Sequence, residues 1–254
     1  MINNKTISLV IPCKNEAEAL KNLLPKIPRY IDEVIVVDNQ STDDSIKVAK
    51  RYKANVIREA RQVGGVGYGY AIQSGIKFTH GDYIIVMDGD DTYPIAEAKK
   101  IIERMVQNKI DFISCNRFPL INKKAIPKIR QLGVLILNLE VTLLYGYPIK
   151  DILSGMWITE KETIEKIIPR SGDWNFSPEI KINAINNPII RFGEYHIEHF
   201  YRMNGKSKLN IWRTGWSHLW FIFKKRIFSG YITNNFNFNA IRQNFSYSIK
   251  QFLF

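Results

Sequence analysis

Tyr83-Ile84-Ile85-Val86-Met87-Asp88-Gly89-Asp90-Asp91-Thr92-Tyr93-Pro94 decides how this chain is read. An apolar, strand-forming run ends abruptly in three carboxylates, Asp88, Asp90 and Asp91. Such a run reads as a buried strand, and strand ends are where an α/β sheet presents its chemistry. Three carboxylates left unpaired in one small space repel one another. A divalent cation relieves the repulsion, and carboxylate oxygens suit Mg2+ or Mn2+. The same residues also suit a solvated turn, with Asp91 or Thr92 capping the next helix. The flanking chain has to separate the two.

Upstream, strand-like runs occupy residues 6–12, 33–38 and 55–58; downstream they occupy 111–116, part of 147–158, and 189–196. Helical patterns fall between them. One runs through Ala19, Leu20, Leu23 and Leu24 and is ended by Pro25 and Pro28. Another runs through Ile46, Val48 and Ala49 after the polar turn at 39–45. A third carries Ala71, Ile72, Ile76 and Phe78, and further helices are expected at 95–106, 159–168 and from Phe176. Strands alternating with helices imply a parallel, doubly wound sheet with right-handed connections. Ligands bind outside the carboxyl ends of such strands. Glu16, Asp38 and Asp88 each sit at or just past such an end and should face one cleft. That convergence makes Asp88 and Asp90 the floor of a ligand site, with Asp91 kept as a possible helix cap.

At 254 residues, 45% hydrophobic and 24% charged, the chain is long enough for one large α/β core. Cys13 and Cys115 sit at strand ends without metal spacing and read as small core residues in a reducing compartment. The net charge of +12 is unevenly placed: from His199 onward there are nine Lys and Arg and no Asp or Glu. Such a segment seeks anionic surfaces. No groove-reading motif accompanies the charge, which argues against nucleic acid. The N-terminus enters a strand at once, so no signal peptide is expected. The longest apolar run, 132–149, contains Asn138, Glu140 and two glycines and reads as a buried or interfacial helix, not a membrane span. From Asn210 the chain carries Trp212, Trp216, Leu219, Trp220, Phe223 and Ile227 at helical spacing, flanked by Arg213, Lys224, Lys225 and Arg226. Tryptophan and basic charge around an apolar face suit a helix lying in a membrane interface. The stretch after Phe228 carries no readable signal.

Gly65-Val66-Gly67-Tyr68-Gly69 follows the third strand and lacks dinucleotide-fingerprint spacing, which argues against a hydride-transfer enzyme. Its glycines either admit a ligand close to the backbone or let the next helix pack on the sheet. Glu179 lies in the first turn of the helix opened by Phe176-Ser177-Pro178, where the dipole alone accounts for a carboxylate. Lys123, Lys124, Lys128 and Arg130 form a basic loop running into the apolar helix, an arrangement suited to an anionic group on an apolar tail.

With these motifs in place, the chain resembles the family 2 glycosyltransferases of GT-A fold. Within them it is most similar to the dolichyl-phosphate mannose synthase and polyprenyl-phosphate glucosyltransferase branch. The resemblance rests on the order and spacing of Val10-Ile11-Pro12-Cys13-Lys14-Asn15-Glu16, Val37-Asp38-Asn39-Gln40-Ser41-Thr42-Asp43, Gly67-Tyr68-Gly69-Tyr70-Ala71, Asp88-Gly89-Asp90, Asn116-Arg117-Phe118, Asp151-Ile152-Leu153-Ser154-Gly155-Met156 and Arg202-Met203-Asn204-Gly205-Lys206-Ser207-Lys208-Leu209. It implies a Rossmann-like, mostly parallel sheet flanked by helices over residues 1–209, with 210–254 as a basic, aromatic tail holding an amphipathic membrane-surface helix. Carried over by position, Pro12, Asn15, Glu16 and Asp38 hold the nucleotide, with Gly67 and Glu179 in the substrate-binding set. Asp88 and Asp90 match the Asp-x-Asp motif for nucleotide and Mg2+ or Mn2+. Arg117 and Arg130 meet an acceptor phosphate, and Arg202 and Lys208 meet phosphates near the reaction centre. The chain departs from the family at Asn39, at Asp91-Thr92-Tyr93 and at Met156-Trp157, where an arginine is usual.

The implied activity is inverting transfer of a hexose from a UDP- or GDP-sugar to a polyprenyl phosphate, on the cytoplasmic face of a membrane. The protein would be peripheral there, or attached through a membrane-spanning partner. A phosphate acceptor is already anionic and needs aiming more than deprotonation. If the acceptor were instead a hydroxyl of a glycan or glycolipid, Asp151 or Glu179 would have to act as base. A non-catalytic, membrane-surface module binding nucleotide sugar is the alternative from another class.

Overall fold

A computed structural model describes residues 4–205 and 208–228. The expected tail beyond Phe228, and Lys206 within the basic loop, lie outside the described residues. Seven strands form one sheet: β1 (Ile7–Cys13), β2 (Glu33–Asp38), β3 (Asn55–Arg58), β4 (Tyr83–Val86), β5 (Phe112–Asn116), β6 (Trp157–Glu160) and β7 (Phe192–His196), in the order β3-β2-β1-β4-β6-β5-β7. β1 pairs in parallel with β2 and β4, β2 with β3, and β5 with β7. Only β6 runs antiparallel, to both of its neighbours. The sheet is therefore the mostly parallel one that the alternation of strands and helices implies.

Burial on both faces explains the unbroken apolar character of the central strands. Ile7, Leu9 and Ile11 of β1 face a core shared with Leu20, Val48 and Ile101, from α1 (Ala17–Leu23), α2 (Ser45–Arg51) and α4 (Ala98–Asn108). Val10, with Ile35, Val37 and Ile84, faces the other way. There it meets Ile72 of α3 (Tyr68–Lys77), Ile164 of α6 (Lys161–Ile167) and Phe176 of α7 (Phe176–Asn186). This is the two-residue alternation of a strand expressed as two cores. A third core lies beside the sheet, where Leu137, Val141 and Tyr145 of α5 (Lys128–Tyr145) meet Ile182 of α7 and Ile222 of α8 (Ile211–Phe228). The Tyr145 hydroxyl donates to the Ile222 carbonyl at 3.0 Å, fixing α8 on α5.

Register sets the strand ends level where the chemistry lies. Cys13 stands opposite Asp38, and Asp38 opposite Arg58. Two details differ from the sequence reading. Phe78 lies just past the end of α3 and is exposed, not packed on the sheet. Asp91 is not a helix cap. Its φ of 60° turns the chain sharply after Asp90, and its carboxylate pairs with Lys26 at 2.6 Å. The helix instead begins with a 3-10 turn, Ile95–Glu97, ahead of α4.

The loop from β3 to α3 forms one wall of the site and is braced by Glu59. The Arg61 side chain donates to its two oxygens at 3.0 and 2.6 Å, the Arg61 backbone N–H adds a bond at 2.8 Å, and Ser74 of α3 donates as well. The Arg61 contacts outweigh burial and hold the Glu59 carboxyl near pKa 2, below its ordinary 4.5. A carboxyl depressed on folding stabilises the protein above its unfolded pKa, and that contribution fades as pH falls from about 4.5 to about 2. Glu59→Gln should therefore flatten the loss of stability across that window, read as the change in urea midpoint with pH.

Candidate active site

A cavity of about 810 Å³ opens beside the carboxyl ends of β1, β2 and β4 and continues between α5 and α8. Its inner walls include Pro12, Glu16, Asn39, Gly67, Tyr68, Asp88 and Asp90. Arg117, Arg130, His199, Arg202 and Lys208 line its middle. Ile129, Leu132 and Ile136 of α5 and Trp212, Trp216 and Leu219 of α8 line the far arm.

Asp88 lies where the apolar run of β4 gives out. The Tyr68 hydroxyl donates to its Oδ1 at 2.9 Å. Burial, then the charge of Asp90, raise its pKa from 3.8 to about 6. A side chain at Gly155 would fall on the Asp88 carboxylate, so glycine is required there by close approach. The Gly155 N–H donates to the buried Tyr93 hydroxyl at 2.7 Å, which sets the distance of that loop from Asp88. Asp90 folds back on its own turn: Thr92 donates to its Oδ1 from N at 3.3 Å and from Oγ1 at 2.6 Å. Its Oδ2 lies 3.3 Å from the Arg202 guanidinium. Two neighbouring carboxylates, one of them half-buried with its charge disfavoured, are a hard oxygen pair that a small divalent cation would stabilise. Among the described residues no group of three or more His, Cys, Asp or Glu converges. Asp88 and Asp90 are the residues that could hold a divalent cation here, with the remaining positions open to phosphate or water.

Arg117 follows β5 and is clamped by Asp151. Its Nε and a terminal nitrogen donate to the two carboxylate oxygens at 2.6 and 2.9 Å, and its backbone N–H adds a third bond at 3.1 Å. Burial alone would lower the Arg117 pKa, but the Asp151 charge overrides it and the guanidinium stays ionised. Asp151 is in turn held by its loop. Glu194 of β7 accepts the Lys150 and Asp151 N–H groups at 3.0 and 3.2 Å. Asn138 of α5 donates to the Lys150 carbonyl at 2.6 Å and accepts the Ile152 N–H at 2.9 Å, which accounts for an asparagine in an apolar helix. Lys181 of α7 is fully buried and donates to the carbonyls of Ile152 and Ser154 at 3.0 and 2.8 Å. The Arg130 pKa is lowered by burial, then by the nearby Arg202 and Arg117 charges. Arg117, Arg130 and Arg202 all line the cavity, a cationic lining that suits an anionic group.

Glu16 accepts Arg202 at 2.9 Å and Lys208 at 2.8 Å, and Lys208 also donates to the Lys14 carbonyl. The segment carrying Arg202 and Lys208 thus lies across the Glu16 end of the cavity. Asn15, Asp38, Asp151 and Glu179 are not among the residues lining the cavity. Asn15 and Asp38 shape the wall behind it. The Thr42 N–H donates to Asn15 Oδ1 at 2.7 Å, and the Ser41 N–H donates to Asp38 at 3.3 Å. Asp151 has both oxygens on Arg117, so it positions that arginine and does not face a substrate hydroxyl. Glu179 accepts the Ser171 N–H at 2.9 Å and pairs with Lys225 at 3.1 Å, tying α8 to α7. At Gly67, a Cβ would strike Asn39 and the Arg61 carbonyl, so close packing of the loop requires that glycine.

Tyr68 and Tyr93 fall in motifs the sequence displays but carry no expected role of their own, and Lys181 and His199 fall in none. Tyr68 is 20 residues from Asp88 and Lys181 lies on another helix, so no local pattern links either to the site. His199 packs edge-on against Tyr93 with ring centroids 4.9 Å apart. Its Nδ1 is buried without a partner, and burial followed by the Arg117 charge lowers its pKa to about 3, so the ring is neutral.

A mostly parallel sheet with Asp-x-Asp at the end of β4, facing a cavity at the strand ends, defines a GT-A-type transferase. The chain belongs to the glycosyl transferase family 2, whose model matches residues 8–168. An uncharacterised glycosyltransferase of Mycobacterium tuberculosis is 25% identical over 206 residues, covering 80% of this chain and 89% of that protein. A dolichyl-phosphate hexose transferase of Haloferax volcanii is 24% identical over 188 residues, covering 73% of this chain and 77% of that one. The fold is shared with M. tuberculosis glucosyl-3-phosphoglycerate synthase solved with Mn2+, UDP and phosphoglyceric acid. That structure aligns with a TM-score of 0.69 at 18% identity, over 88% of this chain and 78% of the other.

Gly155→Ala should displace the Asp88 carboxylate while the protein stays folded. The expected result is a loss of Mn2+ affinity of about tenfold or more, read by calorimetry beside an unchanged circular dichroism spectrum. Lys181→Met leaves buried carbonyls without a donor and should cost about 3 kcal/mol of unfolding free energy in urea.

Proposed function

We propose that this protein transfers a hexose from a nucleotide-diphosphate sugar to the phosphate of a polyprenyl lipid at a membrane surface. One observation carries the reading: the arginine-lined part of the cavity is continuous with an apolar arm between α5 and α8. A soluble sugar or glycan acceptor has no use for an arm lined by Ile129, Leu132, Ile136, Trp212 and Leu219. A phosphate carrying a hydrocarbon chain uses both ends. The relative in Haloferax volcanii whose name includes dolichyl phosphate agrees with it.

The outer surface supports the membrane part. Trp212, Trp216 and Trp220 are 71%, 71% and 61% exposed on the face of α8 opposite its buried Thr214, His218 and Ile222. Ile129, Leu132, Ile136 and Leu143 of α5 are exposed beside them. Arg213 and Lys224 flank the aromatic stripe, as expected for a helix seated among anionic headgroups. No described helix is long and apolar enough to cross a membrane.

In the proposed reaction a phosphate oxygen of the acceptor attacks the anomeric carbon. The bond from that carbon to the diphosphate breaks, the nucleoside diphosphate leaves with the electron pair, and the configuration inverts. Arg117 and Arg130 aim the acceptor phosphate and lower its repulsion with the donor. Arg202 and Lys208, which rest on Glu16 and Asp90, are placed to move onto the donor phosphates as charge grows on the leaving group. A divalent cation held by Asp88 and Asp90 would supply further neutralisation of the diphosphate. The acceptor is already anionic, so no general base is needed, consistent with Asp151 being committed to Arg117.

The test is a transfer assay with purified full-length protein, Mn2+, and UDP- or GDP-hexoses. A polyprenyl phosphate, phosphoglyceric acid and a free oligosaccharide serve as acceptors in parallel. The expected product is a hexosyl lipid phosphate from the first acceptor alone, lost with EDTA, restored by Mn2+ or Mg2+, and reduced about 100-fold or more by Asp90→Asn. Transfer to phosphoglyceric acid or oligosaccharide, with none to polyprenyl phosphate, would overturn the reading. Trp216→Glu with Trp220→Glu should abolish co-sedimentation with vesicles containing phosphatidylglycerol.

A further inference from the structure

Two glycines stand inside helices where nothing structural asks for them. Gly133 lies in the interior of α5 and Gly215 in the interior of α8. Glycine in a helix interior is unfavourable relative to alanine, because it loses more backbone freedom on folding. The usual reasons for accepting that cost are a left-handed backbone or a close approach. Neither applies at these positions. Neither residue has a positive φ, and a Cβ at either would meet no heavy atom within 4 Å. Gly67, Gly69, Gly75, Gly81, Gly155 and Gly172 differ, since a Cβ at each would collide with a neighbour. Among the described glycines without a positive φ, Gly133 and Gly215 alone face open space.

The space they face is the cavity. Both residues line it, one from each helix, in the arm that leads away from the arginines. Their neighbours along that arm are apolar: Leu132, Ile136, Trp212 and Trp216. We infer that Gly133 and Gly215 set the bore of this arm, which takes the hydrocarbon chain of a lipid phosphate whose headgroup rests on Arg117 and Arg130. The occupant follows from charge at one end and exposure at the other. Cationic side chains crowd the inner end, and the exposed tryptophans of α8 lie at the outer end. A side chain at either glycine would project into this arm and not toward the other end of the cavity, walled by Pro12, Glu16 and Asp88. The inference rests on the lipid-phosphate reading above and adds to it the two positions that select the chain.

The experiment uses full-length Gly133→Leu and Gly215→Leu proteins, with Gly133→Ala and Gly215→Ala as milder variants. Binding is followed by tryptophan fluorescence, since Trp212 and Trp216 line the arm. The probes are dodecyl phosphate below its micellar concentration and methyl phosphate. Expected results are a loss of dodecyl phosphate affinity of about tenfold or more in each leucine variant and a smaller loss in the alanine variants. Methyl phosphate binding and Mn2+-dependent UDP or GDP binding should be unchanged. Melting temperatures should not fall, because leucine and alanine are better helix formers than glycine. Equal dodecyl phosphate affinity in wild type and leucine variants would overturn the inference. So would equal losses for both phosphates, which would mean damage at the arginines. Transfer assays separate the inference from the reading it rests on. If wild type glycosylates polyprenyl phosphate and the leucine variants match it, the bore assignment fails and the reading stands. If the variants lose dodecyl phosphate but wild type glycosylates no polyprenyl phosphate, the apolar arm stands and the acceptor reading fails.

Discussion

The buried pair of Arg117 and Asp151 is the interaction around which the site is arranged. Two charges withdrawn from water lose several kcal/mol of hydration each, and that loss is offset only by close, fully bonded geometry. Here the geometry is bidentate, and the backbone N–H of Arg117 adds a third contact to the same carboxylate. The loop behind Asp151 is tied from both sides. Glu194 takes its N–H groups and Lys181 takes its carbonyls, while Asn138 holds both kinds. One ion pair therefore links β5, β7, α5 and α7. A hydrophobic pair of similar volume would pack as well, but it would leave no fixed cation for an acceptor phosphate.

A second constraint works through empty space and close approach. The same loop ends at Gly155, which lies against Asp88 with no room for a side chain. Asp88 is thereby held beside Tyr68 and Asp90 at the cavity wall, and its carboxyl pKa rises to about 6. A carboxylate in that condition gains more from a cation than an exposed one would. Arg117 and Asp88 are thus set by opposite ends of the one loop running from Asp151 to Gly155.

The third core gives the cavity its other half. α8 buries Thr214, His218 and Ile222, the last in the core shared with α5 and α7, while Trp212, Trp216 and Trp220 are exposed, the first two along the open arm of the cavity. A helix that buries one face and exposes three tryptophans on the other has an apolar face left to cover. Because α5 and α8 leave an apolar arm between them, the surface that suits a bilayer and the interior that suits a phosphate belong to one passage.

Much of this is legible in the sequence. The strand runs, the alternation with helices, and the placement of Glu16 and Asp88 past strand ends point to one cleft, because periodicity and strand-end chemistry are local properties. Asp151 and Glu179 show the limit. Both are carboxylates in motif positions, and both are committed to basic partners, Arg117 and Lys225, that lie 34 and 46 residues away. Asp91 shows it again, since a left-handed turn and Lys26, 65 residues away, decided its role.

The sequence by itself determined the sheet, the family motifs, the Asp88-Asp90 pair and the basic, tryptophan-rich character of α8. Those features follow from residue type and spacing along the chain. Only the tertiary structure decided that Asp151 aims Arg117, that Tyr68 and Gly155 confine Asp88, and that Gly133 and Gly215 look into one apolar arm. Those features depend on which groups meet across long stretches of chain. Burial then fixes their charge, their partners and the space left open between them.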